Sequence, residues 1–301
     1  MLDDVKDLEQ VASILMRGTF QSAGQNCIGI ERIIALPKSY DRLVKTLEPR
    51  VRSLRVGSAL DIPSPSSSSS TKPPTTDGDN EEQDQGIDVG AMISPHNFSH
   101  LSHLIHLAVK SGARLLAGGS QHHHPVHPRD HYFTPTLLVD VTPTMVIANE
   151  ELFAPVALVM RASSITDAIA IANGTPFALG SSVFGTSKKD LERVTREVKA
   201  GMVAVNDFGV TYAVGLPFGG VKGSGYGRFG GEEGLRSLCN VKSVCVDRVP
   251  GGLVGTSIPR ALDYPIRDAR GAWEFVRGVV EVGYASGWAW LGGLVRVVRN
   301  G

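Results

Sequence analysis

Hydrophobic and polar positions repeat with two different periods along the chain, and the two periods follow each other in turn. Short apolar runs bounded by glycine, proline or serine predict buried strands. Stretches with apolar residues at every third or fourth position predict helices. The predicted strands are 31–37, 133–141, 154–162, 179–185, 201–207 and 241–249, and the predicted helices are 3–16, 39–54, 97–112, 164–173, 187–201 and 231–238. This order predicts an α/β fold, with a largely parallel sheet and flanking helices.

Several of these helices carry signals at their ends. Ser39 and Ser187 stand where a hydroxyl oxygen accepts a hydrogen bond from a free N–H group of a first helical turn. Asn173-Gly174 and Gly201 stand where helices commonly end. We therefore expect helices to begin at Ser39 and Ser187, and to end at Gly174 and Gly201.

The stretch 62–88 departs from this pattern. It holds a serine run, four prolines and six acidic residues, with a single lysine. Such a composition does not bury enough apolar surface to offset the entropy of ordering the chain. We expect a disordered surface insertion here. A phosphorylated regulatory loop is the alternative, although no residue selects it.

Composition narrows the class of protein. The 301 residues suit one or two domains, and 30 basic residues balance 30 acidic ones, which argues against a nucleic-acid partner. Three cysteines are too few for a disulfide framework and favour a reducing, cytoplasmic compartment. The first ten residues are polar and acidic, unlike a signal peptide.

The end of the chain has its own character. Residues 251–270 predict an irregular linker, and 271–301 predict a helical tail that carries all three tryptophans. The uncharged run from Val282 to Val295 is shorter than the roughly 18 apolar residues that span a bilayer. We expect this tail to pack on the preceding domain. Contact of 271–301 with a membrane surface is the alternative, which Glu274 and Glu281 disfavour at an anionic lipid surface.

The polar, glycine-flanked segment around Cys27 is the first candidate for chemistry. A lone cysteine is more often a small buried hydrophobe than a nucleophile. Gly24 and Gly29, however, allow the backbone to approach a ligand, and neighbouring N–H groups lower the pKa of a thiol. A thiolate presented in this way attacks carbonyl carbons.

The segment is part of a wider resemblance. The run Phe20-x-x-x-Gly24-Gln25-x-Cys27-x-Gly29 resembles the active-site cysteine motif of the aldehyde dehydrogenase superfamily. Three further stretches resemble motifs of that family in the same order, namely Asn149–Val156, Val205-Asn206, and Pro217–Gly220 with Lys222 and Ser224-Gly225. The resemblance covers residues 1 to about 250 and excludes the insertion. With its Trp-bearing tail, the chain is most similar to the fungal group called meiotic sister-chromatid recombination aldehyde dehydrogenases.

The resemblance implies an oxidoreductase that converts an aldehyde to a carboxylic acid with NAD or NADP. Cys27 would form a thiohemiacetal and then a thioester, and its backbone N–H would contribute to an oxyanion site. Glu151 would bind the hydroxyls of the nicotinamide ribose, and Phe153 would pack beside the nicotinamide. Without the motif, Glu151 would be read as a solvated carboxylate. Phe208 and Tyr212 are candidates for the wall of the substrate site, or equally for the core.

The chain also departs from the family pattern. Ala154 stands where the family usually has glycine, which matters if that position needs a positive φ. Only 26 residues precede Cys27, fewer than the roughly 30 of one βαβ unit. We therefore expect the N-terminal dinucleotide-binding domain and the family's general base to be absent, and the isolated chain to be inactive. The glycine-rich stretch 219–231 follows a loop and is not read as a phosphate cradle.

Two interpretations of function stay open at this stage. The first is a truncated aldehyde dehydrogenase, and the second is a non-catalytic remnant that associates with an intact subunit. The resemblance implies a homo-oligomer in which the strand 241–249 completes a neighbour's sheet. It also implies attachment to the endoplasmic reticulum if a full-length form carries an N-terminal anchor.

Two further clusters are given structural interpretations. His122, His123, His124, His127 and His131 lie in a proline-containing turn without the spacing of a metal site, so we expect a solvated loop and no metal. We expect the remaining cysteines, Cys239 and Cys245, to be packing residues.

Overall fold

The computed structural model describes residues 1–58, 86–124, 131–208, 215–244 and 258–301. They form two compact units, Met1–Asn240 and Val241–Gly301. The expected insertion at 62–88 lies outside the described residues except for 86–88. Its disorder stays a prediction.

The first unit is built on a four-stranded sheet. Its strands are β1 (Arg32–Ala35), β2 (Arg114–Ala117), β5 (Thr136–Val139) and β6 (Val156–Arg161), in the order β1-β6-β5-β2. β6 pairs in parallel with both β1 and β5, whereas β2 is antiparallel to β5. The first five residues of β6 are all buried, as expected for a strand covered on both faces. The parallel sheet predicted from the sequence is confirmed, although β2 was not predicted.

Two smaller sheets complete the strands of this unit. β3 (Gln121–His122) and β4 (Tyr132–Phe133) form an antiparallel pair, and β7 (Gly180–Val183) and β8 (Met202–Val205) form a parallel pair. The strand predicted at 133–141 is therefore two strands, β4 and β5. Pro135 lies between them, where a residue without a backbone N–H interrupts a ladder.

The helices of the first unit cover these sheets. They are α1 (Leu8–Phe20), α2 (Pro37–Arg52), α3 (Phe98–Lys110), α4 (Ile165–Asn173), α5 (Lys188–Glu197) and α6 (Gly231–Ser237). The buried faces of α1, α2 and α3 join the central strands in one hydrophobic core, which includes Leu15, Leu43, Leu104, Leu138 and Leu158.

Some predicted helix ends are wrong. α2 begins at Pro37, because proline suits a first turn, where its missing N–H is not needed. Ser39 lies inside that helix and donates to the carbonyl of Leu2 at 2.8 Å instead of capping it. Ser187 does cap α5 and accepts from the N–H of Asp190 at 3.3 Å. α5 ends at Glu197, four residues before Gly201, because Val198 is already extended.

The first residues of the chain lie between β1 and β7. The Met1 amine donates to the carbonyl of Ile34, and the Met1 carbonyl accepts from Leu36 at 3.1 Å. This is the pattern of a parallel pair. The N–H of Leu2 donates to the carbonyl of Phe184, directly after β7, at 2.9 Å. Met1 and Leu2 therefore bridge the ends of two strands that belong to separate sheets.

The second unit contains a helical hairpin. α7 (Ala269–Tyr284) and α8 (Trp288–Asn300) follow a short 3-10 turn at Arg260–Leu262. The tail predicted as one helix is broken before Gly287, which has a φ of +61°. The strand predicted at 241–249 is not formed over 241–244, and 245–249 lie outside the described residues. No helix among the described ranges is long and apolar enough to cross a membrane.

Candidate functional site

Cys27 lies in a tight turn that follows α1. Ser22, Ala23 and Gly24 all have positive φ, at 56°, 54° and 73°. Glycine adopts such angles freely, but each of the other two residues pays roughly 1 kcal/mol for them. The reversal turns the chain away from the helix axis and leaves the Cys27 side chain exposed. Backbone strain of this kind is typical of functional sites.

Hydrogen bonds close this loop at both ends. The N–H of Ile30 donates to the carbonyl of Gly18 at 2.9 Å, and the Thr19 hydroxyl donates to the carbonyl of Ile30 at 2.8 Å. Nearer the tip, the carbonyl of Asn26 accepts from the N–H of Gly29 at 2.7 Å. Ile28, next to Cys27, is buried with Met202 and Phe208. The thiol is therefore exposed on a loop whose backbone is fixed.

The loop is pressed against the segment that carries Glu151. A side chain on Gly24 would place its Cβ only 2.0 Å from the carbonyl oxygen of Ala154. Glycine is required here by close approach as well as by φ. The two predicted motifs, more than a hundred residues apart, therefore meet at this point.

Glu31 ties the same two segments together from the other side. Its Oε1 accepts hydrogen bonds from the N–H groups of Leu152 and Phe153, both at 3.0 Å. Burial raises the pKa of Glu31, and these two hydrogen bonds counter the rise only in part. Sequence reasoning missed this residue. Its available signal was a carboxylate at the start of a strand predicted to be buried.

A cavity of about 430 Å³ opens beside the loop. It is bordered by β1, by β7 and by the loops around them, and both Cys27 and Glu151 line it. Glu151 is exposed, and it has no hydrogen bond or ion pair in the described part of the chain. Phe153 is 37% exposed and does not line the cavity. The structure thus brings Cys27 and Glu151 to one cavity and leaves Phe153 outside it.

Phe208 and Arg32 form part of the cavity wall. Phe208 is buried and lines the cavity, whereas Tyr212 lies outside the described residues. The Arg32 guanidinium donates to the carbonyls of Ile171 and Ala172, both at 3.3 Å. Burial lowers the pKa of Arg32. This arginine, which sequence reasoning also missed, fixes the end of α4 against β1.

The glycine-rich motif near residue 220 holds the other side of the cavity. The Ser224 hydroxyl accepts from the N–H of Ala178 at 2.8 Å, and Ser224 itself lines the cavity. The Lys222 ammonium donates to the carbonyls of Asn173 and Thr175 at 2.7 and 3.0 Å. Both side chains therefore hold the cavity wall in place.

The segments that form this site all fall within the match to a known protein family. The model of the aldehyde dehydrogenase family matches residues 1–244, which include the cysteine loop, the Glu151 segment and the glycine-rich motif. The chain belongs to the aldehyde dehydrogenase family. The resemblance stated from the sequence motifs is thereby confirmed.

Relatives of this member of the aldehyde dehydrogenase family occur in fungi and bacteria. It is 49% identical to an aldehyde dehydrogenase-like protein of Schizosaccharomyces pombe, over 97% of this chain and 50% of that one. It is 47% identical to such a protein of Saccharomyces cerevisiae, over 95% of this chain and 41% of that one. A succinate-semialdehyde dehydrogenase [NADP(+)] of Mycobacterium leprae is 33% identical, over 80% and 46%.

Solved structures of aldehyde dehydrogenases share the fold. Glyceraldehyde-3-phosphate dehydrogenase GapN from Methanocaldococcus jannaschii, complexed with NADP, gives a TM-score of 0.66 at 27% identity, over 80% of this chain and 46% of that one. An NAD-dependent aldehyde dehydrogenase from Sinorhizobium meliloti gives 0.65 at 29% identity, over 78% and 41%. The chain spans half or less of the length of all these proteins.

One departure from the family pattern causes no backbone conflict. Ala154 is buried and does not adopt a positive φ. The positive φ of this segment, 49°, falls on Phe153, whose N–H is held by Glu31. The residue type at position 154 is therefore compatible with the backbone of this family member.

The other candidate residues lie away from this cavity. The described histidines form no metal-ligand group with two or more further His, Cys, Asp or Glu side chains, and His124 stacks on Tyr132 at 5.1 Å. His127 lies outside the described residues, as does Cys245. The expectation that Cys239 is a packing residue is wrong, because its side chain is exposed after the end of α6.

Proposed function

We propose that this chain supplies the thiol-bearing part of an NAD(P)-dependent aldehyde dehydrogenase, with Cys27 as the nucleophile. The observation that carries the proposal is the exposed Cys27 thiol on the same cavity as Glu151, an exposed carboxylate that has no partner among the described residues. Family membership and the names of the relatives support the reaction class.

The chemistry of Cys27 begins with addition to the aldehyde. The thiolate Sγ forms a bond to the carbonyl carbon, the π electrons of the C=O bond move to oxygen, and that oxygen takes a proton to give a thiohemiacetal. Backbone N–H groups of the cysteine loop can stabilise the charge that develops on oxygen. They act well because the hydrogen bonds at Gly18, Asn26 and Ile30 fix the loop before substrate arrives.

Glu151 fits one contact of a nicotinamide cofactor. A carboxylate accepts two O–H donors, so it suits the paired hydroxyls of a ribose, and Glu151 has both oxygens available at the cavity. Phe153, from the same segment, does not line the cavity. When bound, NAD or NADP supplies a hydride acceptor. The chain's own residues would position the substrate carbon and hold the cofactor ribose.

Protection of Cys27 by aldehyde tests this proposal. The chain is treated with a limiting thiol reagent, with and without excess aliphatic aldehyde, and labelling is measured by peptide mass. We expect Cys27 to be labelled faster than Cys239, although both are exposed, and aldehyde to slow only the labelling of Cys27. Cys239 serves as the internal control. Equal labelling of both thiols, unaffected by aldehyde, would contradict a nucleophilic Cys27.

A second proposal concerns assembly. We propose that 241–249 adds as an edge strand to the sheet of a neighbouring subunit, which would also allow a non-catalytic role beside an intact subunit. Val241 and Val244 are both strongly exposed and β-branched, as expected of a segment that pairs only in an assembly. Substituting both by aspartate should convert an oligomer to a monomer in light scattering. An unchanged molar mass would refute this role.

A further inference from the structure

Two strands of the first unit each have a free edge, and the two edges border the same cavity. β1 stands at the end of the four-stranded sheet, and β7 pairs only with β8 in the described part of the chain. The cavity of about 430 Å³ is lined by residues 32–34 of β1 and by all of β7. A free strand edge presents N–H and C=O groups that a further strand can bind.

Hydrogen bonds show which backbone groups of β1 face the cavity. The carbonyls of Glu31 and Ala35 accept from N–H groups in and directly after β6, at 2.8 and 3.0 Å. Ile34 instead accepts from the Met1 amine, on the opposite side of the strand. Because backbone groups alternate between the two sides of a strand, the N–H of Ile34 and the C=O of Arg32 also point away from β6. Neither group has a strand partner among the described residues.

The same alternation applies to β7. The carbonyls of Leu179 and Val183 accept from N–H groups in and directly after β8, at 3.1 and 2.8 Å. Gly180 and Ser182 therefore direct their N–H and C=O groups away from β8 and toward the cavity. The two free edges thus offer donors and acceptors to whatever lies between them.

Met1 and Leu2 show how wide the gap between these edges is. Met1 bonds to β1, and the N–H of Leu2 donates to the carbonyl of Phe184, directly after β7, at 2.9 Å. Neighbouring strands lie about 4.8 Å apart, so a gap bridged on both sides by one extended segment is about 10 Å wide. Met1 and Leu2 occupy only its end. We call the remaining space, bordered by 32–34 and 180–182, the strand slot.

The lining of the strand slot is suited to apolar side chains. All the side chains that α1, α4 and α5 contribute to the cavity are apolar, including Leu15, Ile169 and Val194. A parallel strand covered in this way is usually a continuous apolar run. The charged groups of this region are already bonded, since Arg32 donates to carbonyls at the end of α4 and Glu31 accepts from two N–H groups. An apolar segment is therefore favoured over a charged one.

We propose that the strand slot binds an extended apolar segment of a separate polypeptide, which lies parallel to β1 and β7 and joins their two sheets into one. The bonds of Met1 to Ile34 and Leu36 are those of a parallel pair, so a segment that continues this pairing runs in the same direction. Its carboxyl end lies beside Met1, and its amino end lies toward the Cys27 loop, which precedes β1. This goes beyond the aldehyde chemistry proposed above, because the groups that bind the segment belong to neither Cys27 nor Glu151.

Peptide binding by the full 301-residue chain tests the proposal. The probe is a short peptide of valine, alanine and isoleucine, with one lysine and a fluorescein label at its amino end. Fluorescence anisotropy measures binding, and hydrogen exchange locates it. We expect slower exchange in the segments of β1 and β7, because their free N–H groups gain acceptors. β2, which lies at the opposite end of the four-stranded sheet, is the internal control and should exchange as before.

Matched changes in the probe and in the chain remove the backbone contacts. The same peptide methylated at alternate backbone nitrogens keeps its side chains but loses donors, and it should bind at least about tenfold more weakly. Ser182→Pro removes an N–H that faces the slot, not one that pairs with β8, and should weaken binding of the unmethylated peptide similarly. Ser182→Ala keeps this N–H and should bind like the parent chain. Circular dichroism checks that both variants keep their secondary structure.

Several results would overturn the proposal. They are no binding of the probe, equal binding of the methylated peptide, and equal protection of β2, which would indicate unspecific addition to any free edge. A peptide with the sequence of 241–249 is compared as well. It carries Lys242, Asp247 and Arg248, so it should bind more weakly than the apolar probe. Tighter binding of this peptide would make the slot a site for a second copy of the chain and would also overturn the proposal. Failure of aldehyde to protect Cys27 would leave these results unchanged.

Discussion

At the scale of single residues, Gly24 allows the cysteine loop to pack directly against the segment that carries Glu151, because it has no side chain. Its φ is +73°, and a Cβ there would meet the Ala154 carbonyl at 2.0 Å. We expect Gly24→Ala to destabilise the fold by at least about 2 kcal/mol, from backbone strain together with a backbone clash. Denaturant unfolding measures the loss.

Gly112→Ala is the matched control for this prediction. Gly112 has a φ of +105°, but a Cβ there would meet no atom within 4 Å. Its cost should be strain alone, about 1 kcal/mol. If both substitutions cost the same, the contact between the cysteine loop and the Glu151 segment would not contribute to stability.

Glu31 gives a second prediction at this scale. Glu31→Ala removes the acceptor for two backbone N–H groups and should cost about 1–3 kcal/mol, while also loosening the segment 149–156. Glu31→Gln keeps an acceptor oxygen without the buried charge and should cost less. Hydrogen exchange of the 149–156 peptides separates the two variants. Equal exchange rates in both would remove the positioning role.

The pH dependence of Glu31 has a definite sign. Because burial raises its pKa above the ordinary 4.5, the folded chain binds a proton there more tightly than the unfolded chain. Its contribution to stability is therefore largest at low pH, and it declines as pH rises from 4.5 through the raised pKa. Urea unfolding across this window should show a shallower decline in Glu31→Gln than in the parent. Parallel curves would contradict the buried charge.

At the scale of elements, Tyr40 and Asp140 join α2 to the end of β5. The Tyr40 hydroxyl accepts from the Asp140 N–H at 2.7 Å and donates to Asp140 Oδ1 at 3.0 Å. The Arg161 guanidinium lies over the ring, 3.6 Å from its centre. Burial, with Asp140 beside it, raises the pKa of Tyr40 to about 12, so the hydroxyl stays protonated at neutral pH.

Tyr40→Phe should therefore cost about 1–2 kcal/mol, because it removes two hydrogen bonds but keeps the ring beneath Arg161. Tyr132→Phe is the control: Tyr132 is also a buried tyrosine, yet no hydrogen bond of its hydroxyl is found among the described residues. That variant should unfold within about 0.5 kcal/mol of the parent. Thermal or urea unfolding measures both, and equal losses would refute a specific role of the Tyr40 hydroxyl.

Element types followed from the sequence better than element ends did. β6 was predictable because apolar residues cover both of its faces, and Ser187 was predictable because a cap is a local contact. Ser39 failed as a cap because Pro37 starts the helix two residues earlier, and its hydroxyl bonds to Leu2 instead. β2 was missed because its first residues are largely exposed, so it lacks the apolar run of a buried strand.

At the scale of the whole molecule, the residues that could not be predicted from the sequence are those whose role depends on long-range contacts. Cys27 and Glu151 were found because each sits in a recognisable motif. Glu31 was missed because its partners, Leu152 and Phe153, are more than 120 residues away. The tail was predicted as one helix with unpaired glutamates. The ion pairs of those glutamates could not be predicted, because they form only when α7 and α8 lie side by side.

The last prediction concerns the chain as a catalyst. We expect the 301-residue chain to show aldehyde protection of Cys27 but no formation of NADH from NAD. Oxidation needs the cofactor within reach of the thiohemiacetal, and the role proposed for Glu151, which lines the cavity, gives only one contact to it. The relatives that carry dehydrogenase names are about twice as long as the matched region. A general base contributes a further 10²–10⁴-fold in such reactions. Among the described residues, no carboxylate other than Glu31, Glu150 and Glu151 lines the cavity.

These three carboxylates are poor candidates for that base. Glu31 accepts from two N–H groups and Glu150 is paired with His100 at 2.8 Å. Glu151 is the residue proposed to bind the ribose. Absorbance of NADH is followed with short and long aldehydes, beside Cys27→Ser. Turnover that disappears in Cys27→Ser would contradict the prediction and would mean that this chain alone completes a cofactor site. Protection of Cys27 without turnover would assign the thiol addition to these residues, because addition to a carbonyl needs only the nucleophile and fixed N–H donors. It would assign hydride transfer to a longer polypeptide.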